Sequence, residues 1–139
     1  KHACDRVVVA AGAWSHKLTR KLGTEIPLET ERGYHLTLTD PETRPRMPVF
    51  STERATVCTP IDAGLRIGGT VELAGLDAPP DWRRAEILLK TAQGWFPELT
   101  GANASRWMGH RPSLPDSMPV ISRAPRPKSR FFISPCRPI

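Results

Sequence analysis

The stretch "DRVVVAAGAWS", Asp5–Ser15, sets how the rest of the chain is read. Val7, Val8 and Val9 form a continuous β-branched run, the pattern of a strand buried on both faces. Ala10-Ala11-Gly12-Ala13 follows, and small residues there let another group approach the backbone closely. A short helix is predicted next, with Ser15 as N-cap, Trp14, Leu18 and Leu22 at four-residue spacing, and Gly23 to end it. Lys17, Arg20 and Lys21 cover its other face. A strand, a small-residue turn and a helix start together make a common site for a nucleotide or cofactor.

Beyond Pro27 the period changes to two. "GYHLTLT" sets Tyr34, Leu36 and Leu38 against His35, Thr37 and Thr39 and predicts a half-buried strand. Residues 41–48 read as a loop. "ATVCTP" and "GLRIGGTVEL" predict two strands joined at Asp62–Gly64, hence an antiparallel pair. Gly68-Gly69 inside the second signals a bulge or a close approach by another group. "PPDWRRAEILLKTAQGWFP" is the clearest helix, with Asp81 as N-cap and Trp82, Ala85, Leu89, Ala92 and Phe96 on one face, ended by Pro97. Residues 104–110 and "RFFIS" read as further strands. The fold expected is α+β: a mostly antiparallel sheet flanked by helices, with the first strand in a different sheet.

The 139 residues make a one-domain length with ordinary apolar content, and no apolar run approaches the roughly 20 residues of a membrane span. The formal net charge of +6 raises the question of nucleic acid. Residues 1–102 hold 13 basic and 13 acidic residues, whereas residues 103–139 hold seven basic residues and one acidic residue, Asp116. The excess therefore lies in a proline-rich tail whose few aromatics, Trp107, Phe131 and Phe132, are not interleaved along it, which argues against a stacking platform for nucleic acid. Cys4, Cys58 and Cys136 are odd in number and far apart, which supports neither a disulfide framework nor a zinc site and fits a reducing, cytoplasmic setting. His2, His16, His35 and His110 match no metal spacing, so no metal is expected.

"WMGHRPSLPDSMPVIS", Trp107–Ser122, carries the most pointed chemistry. Pro112, Pro115 and Pro119 each lack an N–H and fix φ, so the backbone follows one extended, turning path. A frame of that kind aims a side chain, and Arg111 is the one it would aim. A planar guanidinium binds a carboxylate best when its orientation is fixed. Arg111 could equally cap carbonyls or pair with Asp116. The serines lack a G-x-S-x-G turn, which argues against a serine hydrolase.

"DRVVVAAGAWS", "IPLETERGYHLTL", "GLRIGGTVELAG" and "RWMGHRPSLPDSMPVIS", in this order, resemble the FAD-dependent amino acid oxidoreductases over about residues 5–133. The likeness extends to the small subunits of bacterial D-amino acid dehydrogenases. It implies FAD as cofactor, with Ala11, Gly12, Ala13 and Trp14 near the nucleotide. It implies Arg111 on the substrate carboxylate, and Tyr34 and His35 on the substrate side. Oxidative deamination of a D-amino acid to a 2-oxo acid and ammonia follows from it, as does peripheral contact with the respiratory membrane in a full-length protein. The family's G-x-G-x-x-G unit is absent from these residues. Residues 1–24 are therefore expected to be a remnant of an incomplete FAD domain, 25–122 a substrate domain, and 123–139 a basic, proline-rich and truncated tail. The chain alone is expected to be inactive. A non-catalytic α+β binding module and a basic nucleic-acid-binding module are the competing readings.

Overall fold

The computed structural model describes residues 7–123 and the backbone of residues 129–133. The chain runs through β1 (Val7–Val9), a 3-10 turn (Gly12–Trp14), α1 (Ser15–Lys21), β2 (Glu29–Leu38), β3 (Val49–Ser51), β4 (Thr56–Ile61), β5 (Gly64–Leu73), α2 (Arg83–Gln93), β6 (Ala104–Ser113), β7 (Val120–Arg123) and β8 (Ser129–Ile133). The strands form two sheets, a five-stranded one in the order β3-β4-β5-β2-β6 and a three-stranded one in the order β1-β8-β7. The first strand does belong to a different sheet, where β1 runs parallel to β8 while β7 and β8 are antiparallel. The tail expected over residues 123–139 falls mostly outside the described residues, as do Cys4, Cys136 and His2.

The residues pack as two compact units. One takes in the chain up to Glu31, Leu73–Ala78 and the chain from His110 onward; the other comprises Arg32–Glu72 and Pro79–Gly109.

The second unit holds the larger core. Tyr34, Leu36 and Leu38 alternate inward along β2, joined by Cys58, Leu65 and Ile67 from β4 and β5 and by Ala85, Leu88 and Ala92 from α2. The period-two reading of "GYHLTLT" and the helical reading of α2 therefore select the buried faces correctly. β4 and β5 form a two-residue hairpin in which Ile61 pairs with Gly64. A Cβ on Gly69 would overlap the Ala55 carbonyl, and its φ of +150° is glycine territory, so the Gly68-Gly69 signal is a close approach of backbone to backbone. α2 begins two residues after Asp81, whose Oδ1 accepts the Arg83 N–H at 3.2 Å. Pro112 sits in β6, which lies at the edge of its sheet among the described strands, the position where strands tolerate proline.

The first unit holds smaller apolar groupings: Val9 with Leu22, and Leu28 with Leu114, Ile26 and Val120. Here two expectations are corrected. Val7 and Val8 are 48% and 54% exposed, and only Val9 is buried. β1 is the end strand of its sheet, so among the described residues it has a neighbour along one edge only. Along α1 the buried positions are Ser15 and Thr19, while Trp14 and Leu18 face outward. Local bonds make that possible: Ser15 Oγ accepts the Ala11 N–H at 3.1 Å, and Thr19 Oγ1 donates to the His16 carbonyl. Ser15 thus secures the turn before the helix, and Trp14 occupies the N-cap position.

Candidate functional site

The first unit brings together the turn after β1 and the start of the proline-framed segment. Gly12 adopts φ +53°, and no described residue lies within 4 Å of where its Cβ would be, so among these residues the backbone of this turn is open on that side. Ala13 is buried and packs the turn down, whereas Trp14 is half exposed. The Trp14 indole meets the His110 ring edge to face, with centroids 5.1 Å apart. His110 Nδ1 shares a 3.0 Å hydrogen bond with Thr30 Oγ1, and Thr30 is buried. Arg111 comes next in the chain. Two residues later Ser113 Oγ donates to Glu31 Oε1 at 2.9 Å.

Arg111 itself is partly buried, and among the described residues its guanidinium has no ion pair and no side-chain hydrogen bond. Asp116, the alternative partner, is occupied otherwise: its Oδ1 accepts the Met118 N–H at 3.0 Å. The prolines therefore frame an arginine whose fork of donors is not consumed by a carboxylate among the described residues.

The second unit places Tyr34 and His35 on opposite faces of β2. Tyr34 is buried, and its hydroxyl donates to Glu72 Oε2 at 2.6 Å while accepting from the Asp81 N–H at 3.1 Å and from Arg32 Nη2 at 3.2 Å. Burial, followed by the hydrogen bond to Glu72, raises the Tyr34 pKa above that of an ordinary phenol. Within this unit its hydroxyl is committed to a network that anchors the start of α2. Arg32, 0% exposed, adds a 2.8 Å bond to the Pro79 carbonyl and an ion pair with Glu72 at 3.4 Å, and Arg84 reaches Glu72 at 3.8 Å. Arg32 Nε and Nη1 have no hydrogen-bond partner among the described residues. Sequence reading missed this network because its bonded partners are up to 47 residues apart.

His35, on the other face, stacks on Trp107 with centroids 4.7 Å apart and planes at 23°. One glycine clears the space for this pair: any Cβ on Gly109 would overlap the Trp107 ring, whereas a Cβ on Gly68 would only touch the His35 Cβ at an ordinary 3.6 Å. Burial, and then the nearby Arg66 charge, hold the His35 pKa below the usual imidazole value, so the ring is neutral at neutral pH. The stack also escaped sequence reading, although the period-two count along β2 puts His35 on the outer face. Burial pushes the Cys58 thiol up to about 11, which leaves it unreactive. No cluster of His, Cys, Asp and Glu suited to a metal occurs among the described residues.

Residues 1–135 match the protein family described as FAD dependent oxidoreductase. The chain belongs to that family. Among curated relatives it is 48% identical over 126 residues to a D-amino-acid oxidase of Bradyrhizobium diazoefficiens, a match covering 88% of this chain and 30% of the relative. It is 38% identical over 125 residues to a D-amino acid dehydrogenase of Vibrio vulnificus, covering 87% of this chain and again 30% of the relative. The chain thus spans about a third of the length of these relatives. In fold it resembles an iminodiacetate oxidase from Chelativorans sp. BNC1, with a TM-score of 0.76 at 22% identity, covering 96% of this chain and 37% of that one. The mostly antiparallel α+β architecture is therefore that of FAD-dependent oxidases, and FAD is the cofactor of the family.

Proposed function

We propose that this chain contributes the substrate-carboxylate clamp and a cofactor-contact turn to a flavoenzyme that oxidatively deaminates D-amino acids. The observation that carries the reading is Arg111: a guanidinium on a proline-fixed strand, with no carboxylate of the protein to neutralise it among the described residues. The 48% identity to a D-amino-acid oxidase supports the choice of substrate class. The turn at residues 11–14 fits FAD, because its small residues and the open side of Gly12 leave backbone accessible to a large planar cofactor or its phosphates.

FAD, when bound, supplies the two-electron acceptor for the hydrogen on the amino acid Cα. The protein's own part is positional. Arg111 pairs its planar fork with the substrate carboxylate and fixes the orientation of Cα, the kind of positioning that makes reaction within a bound complex fast. Loss of the Cα hydrogen with two electrons, and of one proton from the ammonium to solvent, leaves an imino acid, which water converts to a 2-oxo acid with release of ammonia. Of the two β2 residues expected on the substrate side, His35 presents its stacked ring on the outer face, whereas the Tyr34 hydroxyl is taken up by the buried network of Glu72, Arg32 and Asp81.

The full-length protein carrying this sequence, loaded with FAD, is expected to form 2-oxo acid and ammonia in equal amounts from D-amino acids and little from their L-enantiomers. Turnover of L-amino acids alone, or none of either with an artificial electron acceptor present, would overturn the proposal.

A further inference from the structure

An arginine can hold a carboxylate in one orientation only if its own backbone is held. Prolines fix torsions but do not tie a strand to its surroundings. Three observations within the first unit show what does. His110, immediately before Arg111, is gripped from two sides by the Thr30 hydroxyl at 3.0 Å and the Trp14 indole at 5.1 Å between centroids. Ser113, two residues after Arg111, donates to Glu31 at 2.9 Å. Thr30 and Glu31 are consecutive on β2, so alternate faces of that strand engage residues on either side of Arg111.

We propose that His110 is a positioning residue for Arg111, fixing β6 through Thr30 and the Trp14 of the small-residue turn so that the guanidinium meets a carboxylate already oriented. The inference rests on the carboxylate-clamp reading of Arg111. Neighbouring side chains on a strand point to opposite faces, so the contacts of His110 pin the backbone without occupying the donors of Arg111. The imidazole is the only group of β6 in contact with Trp14 among the described aromatic pairs, which makes it the link between the turn and the clamp. Its action needs no change of charge: either ring tautomer can share the hydrogen bond with Thr30.

The test measures binding of acetate, a carboxylate that cannot be oxidised, to the FAD-loaded full-length protein by calorimetry, beside KM and kcat for a D-amino acid. His110→Ala is expected to weaken acetate binding and raise KM about tenfold, as loss of orientation does. Thr30→Val, nearly isosteric, removes only the hydrogen bond and should weaken both about threefold. In an Arg111→Ala background each change should have no further effect, because His110 acts through Arg111. A merely structural role would instead lower the melting temperature and leave the acetate affinity unmoved even with Arg111 in place, or would weaken it equally with and without Arg111. Either result overturns the inference. If Arg111→Ala itself leaves acetate binding intact, the clamp reading fails first, and the two failures are told apart by that single variant.

Discussion

The two units use their polar side chains in opposite ways. In the second, Arg32, Tyr34, Glu72 and Arg84 turn inward on one another beside a core of β2, β4, β5 and α2, and the Asp81 backbone N–H joins them at Tyr34. In the first, apolar groupings are small, Trp14 and Ile121 stay exposed, and Arg111 keeps its donors unspent among the described residues. A buried ion pair tends to fix a structure more than to stabilise it, since desolvation offsets much of the attraction. An arginine left unpaired has no such role and is available to a ligand. The contrast separates a scaffold from the proposed site within one short chain.

Breaking the scaffold should give the largest effect. Glu72→Ala leaves Arg32 fully buried beside Tyr34 without its carboxylate, and removal of one partner of a buried pair costs about 3–5 kcal/mol. Urea unfolding should show that loss, and a midpoint unchanged from the parent would mean the network contributes nothing to the second unit.

A pair of glycines sharpens the comparison at intermediate size. Gly69→Ala drives a Cβ into the Ala55 carbonyl at φ +150° and should cost at least about 1–3 kcal/mol. Gly12→Ala meets open space, so only its φ of +53° is penalised, at about 1 kcal/mol or slightly more. Gly12→Ala should nevertheless weaken FAD binding more than Gly69→Ala does, measured by the flavin retained after dialysis of the full-length protein. The reverse order of cofactor loss would remove the turn at 11–14 from the cofactor site.

The smallest effect concerns pH. The folded-state pKa of His35 lies below the usual 6.5, chiefly because of burial, so the native state binds its proton less readily than the unfolded chain. Stability is therefore full above about pH 6.5 and declines as pH falls through the folded pKa. His35→Gln should flatten this dependence, and Trp107 fluorescence should report the loss of stacking in the parent. An identical acid profile for both proteins would show that the stack is indifferent to the charge of His35.

Much of the scaffold was legible because periodicity reports burial directly. Tyr34, Leu36 and Leu38 along β2, and Ala85 and Ala92 along α2, are inward where spacing puts them. α1 was misread because Ser15 and Thr19 satisfy their own hydroxyls locally and can be buried, leaving Trp14 and Leu18 outside. β3 gave no signal: three residues at a sheet edge are too few to show a period. The burial of Arg32 was invisible because its partners Pro79 and Glu72 are remote in sequence. The extended path of the segment that carries Arg111 was legible through its prolines. The grip on its neighbour His110 depends on contacts from β2 and the 11–14 turn that no local pattern encodes.

The central claim is that Arg111 is reserved for a substrate carboxylate, and its most direct test is the kinetics of Arg111→Ala and Arg111→Lys in FAD-loaded full-length protein. A charge-assisted, two-point pair is worth about 1.5–3 kcal/mol, so kcat/KM for a D-amino acid should fall roughly tenfold to a hundredfold in the alanine variant. Lysine should restore little, since an ammonium cannot reproduce the planar fork. The melting temperature should stay close to that of the parent, because Arg111 makes no ion pair within the described residues. Unchanged kcat/KM together with a lowered melting temperature would contradict the claim and make Arg111 a brace for the proline segment.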